Sequence, residues 1–173
     1  NVPTENREAQ SMTPKRVQAV VQEANLTHFK DAPANVVVID HLGILDVDSD
    51  APSDVRGSDL MAPGFIMQRL FAIAKSTNTL MFILQQLPKE IPPGKAFGYD
   101  AGRGGSKQTD FCDAIFCIWR PEQDIELDDE GRGAVAGQYK LALGKNRYGG
   151  SAVAHLFFDK SSLRIMPPLQ VVQ

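Results

Sequence analysis

Four consecutive β-branched residues, Val36-Val37-Val38-Ile39, follow the breaker Asp31-Ala32-Pro33 and close on Asp40. The run is too short for a typical helix, and an unbroken apolar strand is the kind buried on both faces of a helix-covered parallel sheet. Its surroundings fit an α/β chain. Thr13-Pro14 is a helix-start signal, with the hydroxyl accepting from a free backbone N–H and the proline at the first helical position, and Val17, Val20, Val21 and Ala24 recur at helical spacing behind it. Gly43 to Ala62 reads as a loop, Pro63 to Ser76 as a second helix with Ile66, Leu70, Ile73 and Ala74 on one face, and Asn78 as its stop. Leu80 to Leu84 is a second buried strand, and Ala114 to Trp119 a third after the Gly/Pro/Lys stretch Pro88 to Gly105. Strand, helix, strand, short helix, strand implies right-handed crossovers and a parallel sheet. The end differs: Gln138 to Leu143 and Ala152 to Phe158 alternate and flank a turn, which predicts an antiparallel hairpin.

A length of 173 residues leaves room for one core, and 43% hydrophobic with 23% charged residues argues against disorder. The expected organisation is a polar segment 1–12, one folded region 13–166 and a tail 167–173. No apolar run approaches the ~20 residues that cross a bilayer, and no secretory-type segment opens the sequence, so the expected setting is cytoplasmic, without a membrane. Cys112 and Cys117 cannot make a disulfide framework and read as small core residues. A net charge of −3 excludes a uniformly basic nucleic-acid coat but not a local basic site. The charges are segregated: five Asp and one Arg between Asp46 and Asp59, six acids between Glu122 and Glu130, and five bases to one acid between Lys140 and Arg164. A solvated loop explains an acidic run more often than a ligand does.

Four units carry chemistry. Asp40 stands at the carboxyl end of a strand, where open α/β sheets bind ligands, and a carboxylate there can hold Mg²⁺ through water beside nucleotide phosphates; a turn-forming Asp would look the same. Gln85 and Gln86 end the next strand, where a neutral amide can sense a terminal phosphate. Lys145 and Arg147 lie at the hairpin turn, suited to phosphate oxygens of a neighbouring subunit, although a basic tight turn is common. Lys89, Lys95, Arg103 and Lys107, interleaved with Phe97 and Tyr99, suit a single-stranded nucleic acid or a solvated loop equally. No metal-ligand spacing and no G-x-x-x-x-G-K-S/T phosphate cradle is present: Gly94-Lys95 is followed by Ala96, and Gly144-Lys145 by Asn146.

Taken in order, Val36-Val37-Val38-Ile39-Asp40-His41, Ala74-Lys75-Ser76-Thr77-Asn78 leading into Leu84-Gln85-Gln86-Leu87, Gly105-Ser106 with Asp113 before a strand ending in Arg120, and Lys145-Asn146-Arg147 resemble the second half of a RecA-like hexameric helicase motor, of the DnaB or phage primase-helicase type. The resemblance covers roughly residues 15–165. It implies a RecA-like α/β fold with an incomplete core: a mostly parallel sheet flanked by helices, with an antiparallel C-terminal hairpin. It implies Asp40 as the Walker B aspartate supporting Mg²⁺, Gln86 as γ-phosphate sensor, Arg147 as arginine finger with Lys145 as its companion, and Arg120 near the nucleotide base. It further implies ATP or another NTP at subunit interfaces, a hexameric ring, single-stranded DNA in a channel lined by the loops 46–59 and 88–107, and replication proteins as partners. The first loop is acidic, so DNA contacts are expected on Lys89, Lys95, Arg103 and Lys107 only. The family's P-loop and catalytic glutamate have no match, and the chain is therefore expected to be catalytically incompetent alone, as a fragment or a degenerate subunit. Two other classes fit less of the sequence: a non-catalytic adaptor of the same fold, and a metal-dependent phosphohydrolase using Asp40 and Asp113.

Overall fold

A computed structural model of the protein describes residues 11–86, 106–121 and 128–166. They fall into two compact units, one holding the described residues up to 86 together with 106–111, the other those from 112 onward.

In the first unit, helix α1 (Pro14–Thr27) starts at Thr13, whose side chain accepts from the Arg16 N–H, with Pro14 in the first turn. Val17 and Val21 are buried, whereas Val20 is 48% exposed, so the inward stripe is narrower than the apolar spacing suggests. Strand β1 (Val36–Ile39) pairs in parallel with β2 (Leu80–Ile83) in the register Val36–Leu80 to Ile39–Ile83. Between them, helix α2 (Ala62–Thr77) buries Ile66, Met67, Leu70 and Ile73, and Asn78 ends it in the left-handed conformation at φ 52° that Asn tolerates. Helix α2 packs against α1, β2 and the short helix α3 (Ser106–Thr109), and Phe111 meets Phe71 with ring centroids 6.1 Å apart. Among the described residues no helix is long and apolar enough to cross a membrane.

One expectation is corrected here. β1 and β2 are not buried on both faces: Val36, Val38, Leu80 and Phe82 are 50–63% exposed. Side chains alternate across a strand, and only the face carrying Val37, Ile39, Met81 and Ile83 is covered.

The second unit is an antiparallel sheet in the order β3 (Ala114–Trp119), β4 (Gln138–Asn146), β5 (Ala152–Asp159), β6 (Arg164–Met166). The predicted hairpin is β4–β5, with β4 reaching Asn146 rather than Leu143, so Lys145 lies in the strand opposite Ile115. Cys117 and Ala142 are its buried apolar residues, while Phe116, Ile118 and Ile165 are 49–60% exposed. The parallel order thus applies to β1 and β2, and β3 joins the antiparallel set. Helix α4 (Asp129–Ala134) is N-capped by Asp128, which accepts from the Gly131 N–H at 2.7 Å and absorbs one acid of the run 122–130.

Candidate functional site

The carboxyl ends of β1 and β2 form the rim of the first unit. The parallel ladder continues past both strands, with Leu84 N–H donating to the Ile39 carbonyl at 3.0 Å and Leu42 N–H to the Leu84 carbonyl at 2.8 Å. Asp40 comes off β1 directly after the buried Ile39 and is exposed and unpaired among the described residues. The next residue, joined to it by a cis peptide, turns back: His41 Nδ1 accepts from the Gly43 N–H at 3.1 Å and caps the 3-10 turn Leu42–Ile44. An accepting Nδ1 leaves the proton on Nε2. A Cβ at Gly43 would come within 2.9 Å of the imidazole, so glycine is needed for this cap.

A cleft of about 380 Å³ opens at this rim, lined by His41, Gly43, Asp46, Ser58, Asp59 and both Gln85 and Gln86, with Leu42, Leu45 and Ile66 among its apolar residues. The two amides at the end of β2 therefore face a shared concavity on the side where Asp40 leaves β1. Asp40 itself is outside the lining.

The acidic loop 46–59 is tied to the two helices. Asp48 is 1% exposed, and its Oδ1 accepts from the Lys15 N–H at 3.0 Å in the first turn of α1, while Oδ2 is buried without a hydrogen-bond partner. Asp50 lies 2.9 Å from Lys15 Nζ and 3.5 Å from the Arg69 guanidinium, and the Lys15 hydrogen bond holds its carboxyl below the usual range. Ala51 and Val55 of the loop are themselves buried. Neither anchoring acid was identifiable from the sequence, because the signal was a partner 33 residues away for Asp48.

In the second unit, Arg147 follows β4 at the hairpin tip. Its Nη1 lies 2.7 Å from Asp113 Oδ1, and its backbone N–H donates to the Asp113 carbonyl at 2.8 Å. Lys145 projects from β4, and its charge opposes the effect of burial, which pushes the Cys112 thiol up; burial likewise raises Cys117. Arg120 follows the last residue of β3 and is half-buried.

Of the expected DNA-contacting residues, Lys89, Lys95 and Arg103 lie outside the described residues, and Lys107 falls on the backbone of α3. Asp40 and Gln86 belong to one unit, Lys145, Arg147 and Arg120 to the other. Among the described residues no group of three or more His, Cys, Asp or Glu could hold a metal ion.

No protein-family model and no curated protein matches the sequence. Solved structures do. A DnaB-like replicative helicase, described with its interactions with primase, superposes with a TM-score of 0.69 at 16% identity, over 90% of this chain and 35% of that one. A second solved structure, an ATPase domain, superposes with a TM-score of 0.70 at 16% identity, over 90% of this chain and 51% of that one. At such identity the likeness establishes the fold, a RecA-like α/β core of the kind in replicative-helicase ATPase domains. The chain spans about half or less of the chains it matches.

Proposed function

We propose that this chain, which has the fold of a DnaB-type helicase ATPase core, is part of an ATP-dependent, ring-forming DNA helicase motor acting in replication. The observation that carries the reading is the rim of the parallel pair: an exposed carboxylate at the end of β1 beside a cleft lined by two amides at the end of β2. Ligands of open α/β sheets bind at such carboxyl ends.

An unpaired, solvent-facing Asp40 fits a Mg²⁺ that keeps its waters and takes one protein carboxylate. Bound with ATP or another NTP, such an ion would supply charge neutralisation at the phosphates. Asp40 would hold it, and Gln86 would hydrogen-bond the terminal phosphate, a contact whose loss on hydrolysis would inform the following loop of nucleotide state. Lys145 and Arg147 serve the nucleotide held by an adjacent copy in a hexameric ring, and Arg120 lies near the base. Lys89, Lys95, Arg103 and Lys107 contact single-stranded DNA. The sequence contains no P-loop, so the chain alone does not hydrolyse nucleotide; primase and other replication proteins are the partners of the complete assembly.

The missing cradle also favours a second reading, a non-catalytic adaptor of the same fold. Single-stranded DNA-stimulated ATP hydrolysis by the full polypeptide carrying this chain separates the two. The motor reading expects that activity, its loss in Asp40→Ala, and loss of DNA stimulation in Gln86→Ala. An inert full polypeptide sinks it and leaves the adaptor. Tight Mg²⁺-dependent ATP binding by the 173-residue chain would show that a cradle exists after all.

A further inference from the structure

The hairpin tip is held from two sides, and one of the holding groups has no role in the function above. On one side Asn146 Oδ1 accepts from the Tyr148 N–H at 3.1 Å and its Nδ2 donates to the Gly150 carbonyl at 3.4 Å. A Cβ at Gly149 would come within 2.9 Å of that amide, so the turn accepts only glycine without a shift. On the other side stands Asp113, which holds Arg147 twice, through its carbonyl to the backbone N–H and through Oδ1 to the guanidinium at 2.7 Å. Asp113 Oδ1 is shut off from water yet finds no aligned donor, so the guanidinium meets it off axis. The attraction is Coulombic and runs through Nη1, one of the three nitrogens of a guanidinium that carries five N–H donors. The two side chains are 44% and 43% exposed, which puts the pair where an oxyanion can reach it.

We propose that Asp113 is a positioning residue for Arg147: its carboxylate fixes the direction in which the guanidinium leaves the tip, so that the arginine meets a neighbour's phosphate already aimed. This rests on the arginine-finger reading of Arg147. A half-exposed ion pair adds little to the fold. Aiming is worth more, because a long side chain otherwise loses its rotamer freedom at the moment of reaction, and donors fixed beforehand avoid that cost.

The test is a double-mutant cycle on the DNA-stimulated ATPase of the assembled full polypeptide. Asp113→Asn removes the charge at constant size, and kcat is expected to fall about 10-fold with KM for ATP unchanged, since the interaction lost is one made in the transition state. Asp113→Glu restores part of the rate. Combined with Arg147→Ala, Asp113→Asn causes no further loss. A normal kcat in Asp113→Asn, or two losses that multiply, overturns the inference while leaving Arg147 its role. An unchanged rate in Arg147→Ala, or an assembly without DNA-stimulated ATPase, overturns the functional reading and this inference together. The Asp113→Asn assembly should melt with its parent; a melting point lower by more than about 5 °C assigns Asp113 to the fold and overturns the positioning role.

Discussion

Asp48 and Asp50, in the acidic loop of the first unit, are buried against α1 or paired with Lys15 and Arg69, whereas Arg147, at the basic tip of the second, is paired among the described residues with the half-exposed Asp113. Both regions are charge runs in the sequence. Their difference lies in what surrounds them: the loop supplies an acceptor to the Lys15 N–H at a helix start and a partner to two cations, while the basic tip is held by the Asn146 amide and the Asp113 carboxylate at the end of its strand. A run of charge next to backbone donors that lack intrahelical partners is consumed by the fold.

The widest separation between the two regions comes from Arg147→Ala. In the assembled ATPase it should lower kcat by ~10³ or more while leaving the melting curve of the protein in place. Retained hydrolysis would break the contrast by making the tip as structural as the loop. The converse is Asp48→Ala, which removes the acceptor for the Lys15 N–H and should cost about 1–2 kcal/mol in denaturant unfolding. A neutral outcome there would mean that the loop does not anchor α1.

Smaller effects sharpen the contrast. The folded-state pKa of Asp50 is depressed, so its contribution is complete above the ordinary carboxylate value of 3.8 and fades as pH falls through the lowered one. Asp50→Asn should therefore flatten the acid limb of a stability-against-pH curve and change little near neutrality, as expected of an exposed pair. A carboxylate consumed by its own turn behaves with the same sign: Asp159 accepts from the Ser162 and Ser161 hydroxyls and from the Ser161 N–H, which lower its pKa to about 2. Its share of stability is complete above 3.8 and lost as pH falls through about 2. Carbon-13 titration should place its midpoint there, and Ser161→Ala with Ser162→Ala should move it back toward 3.8.

What could be read from the residues was local. Thr13-Pro14 starts α1 and Asn78 ends α2 because capping depends on neighbours in sequence, and Asp40 and Gln86 stand at strand ends because the apolar runs before them stop there. What could not be read depends on distant partners. β6 is three residues long and too short to announce itself. The Asp113–Arg147 pair needs the β3–β4 register, with its irregularity between Ile115 and Phe116. The open faces of β1 and β2 follow from what covers them, and a composition of Val, Ile, Leu and Phe is silent on whether both sides find cover. The RecA-like fold was legible from the order of its motifs.

Val36, Val38, Leu80 and Phe82 give the parallel pair an oily shelf with half or more of each residue in contact with water. Water wets such a shelf reluctantly, and the same driving force that closes a core acts between molecules as concentration rises. Purified as it stands, the chain should cling to columns, chaperones and dyes that fluoresce on greasy surfaces, and its yield should rise with any additive that shields aliphatic side chains. Its handling in the laboratory is thus written into alternate residues of two short strands.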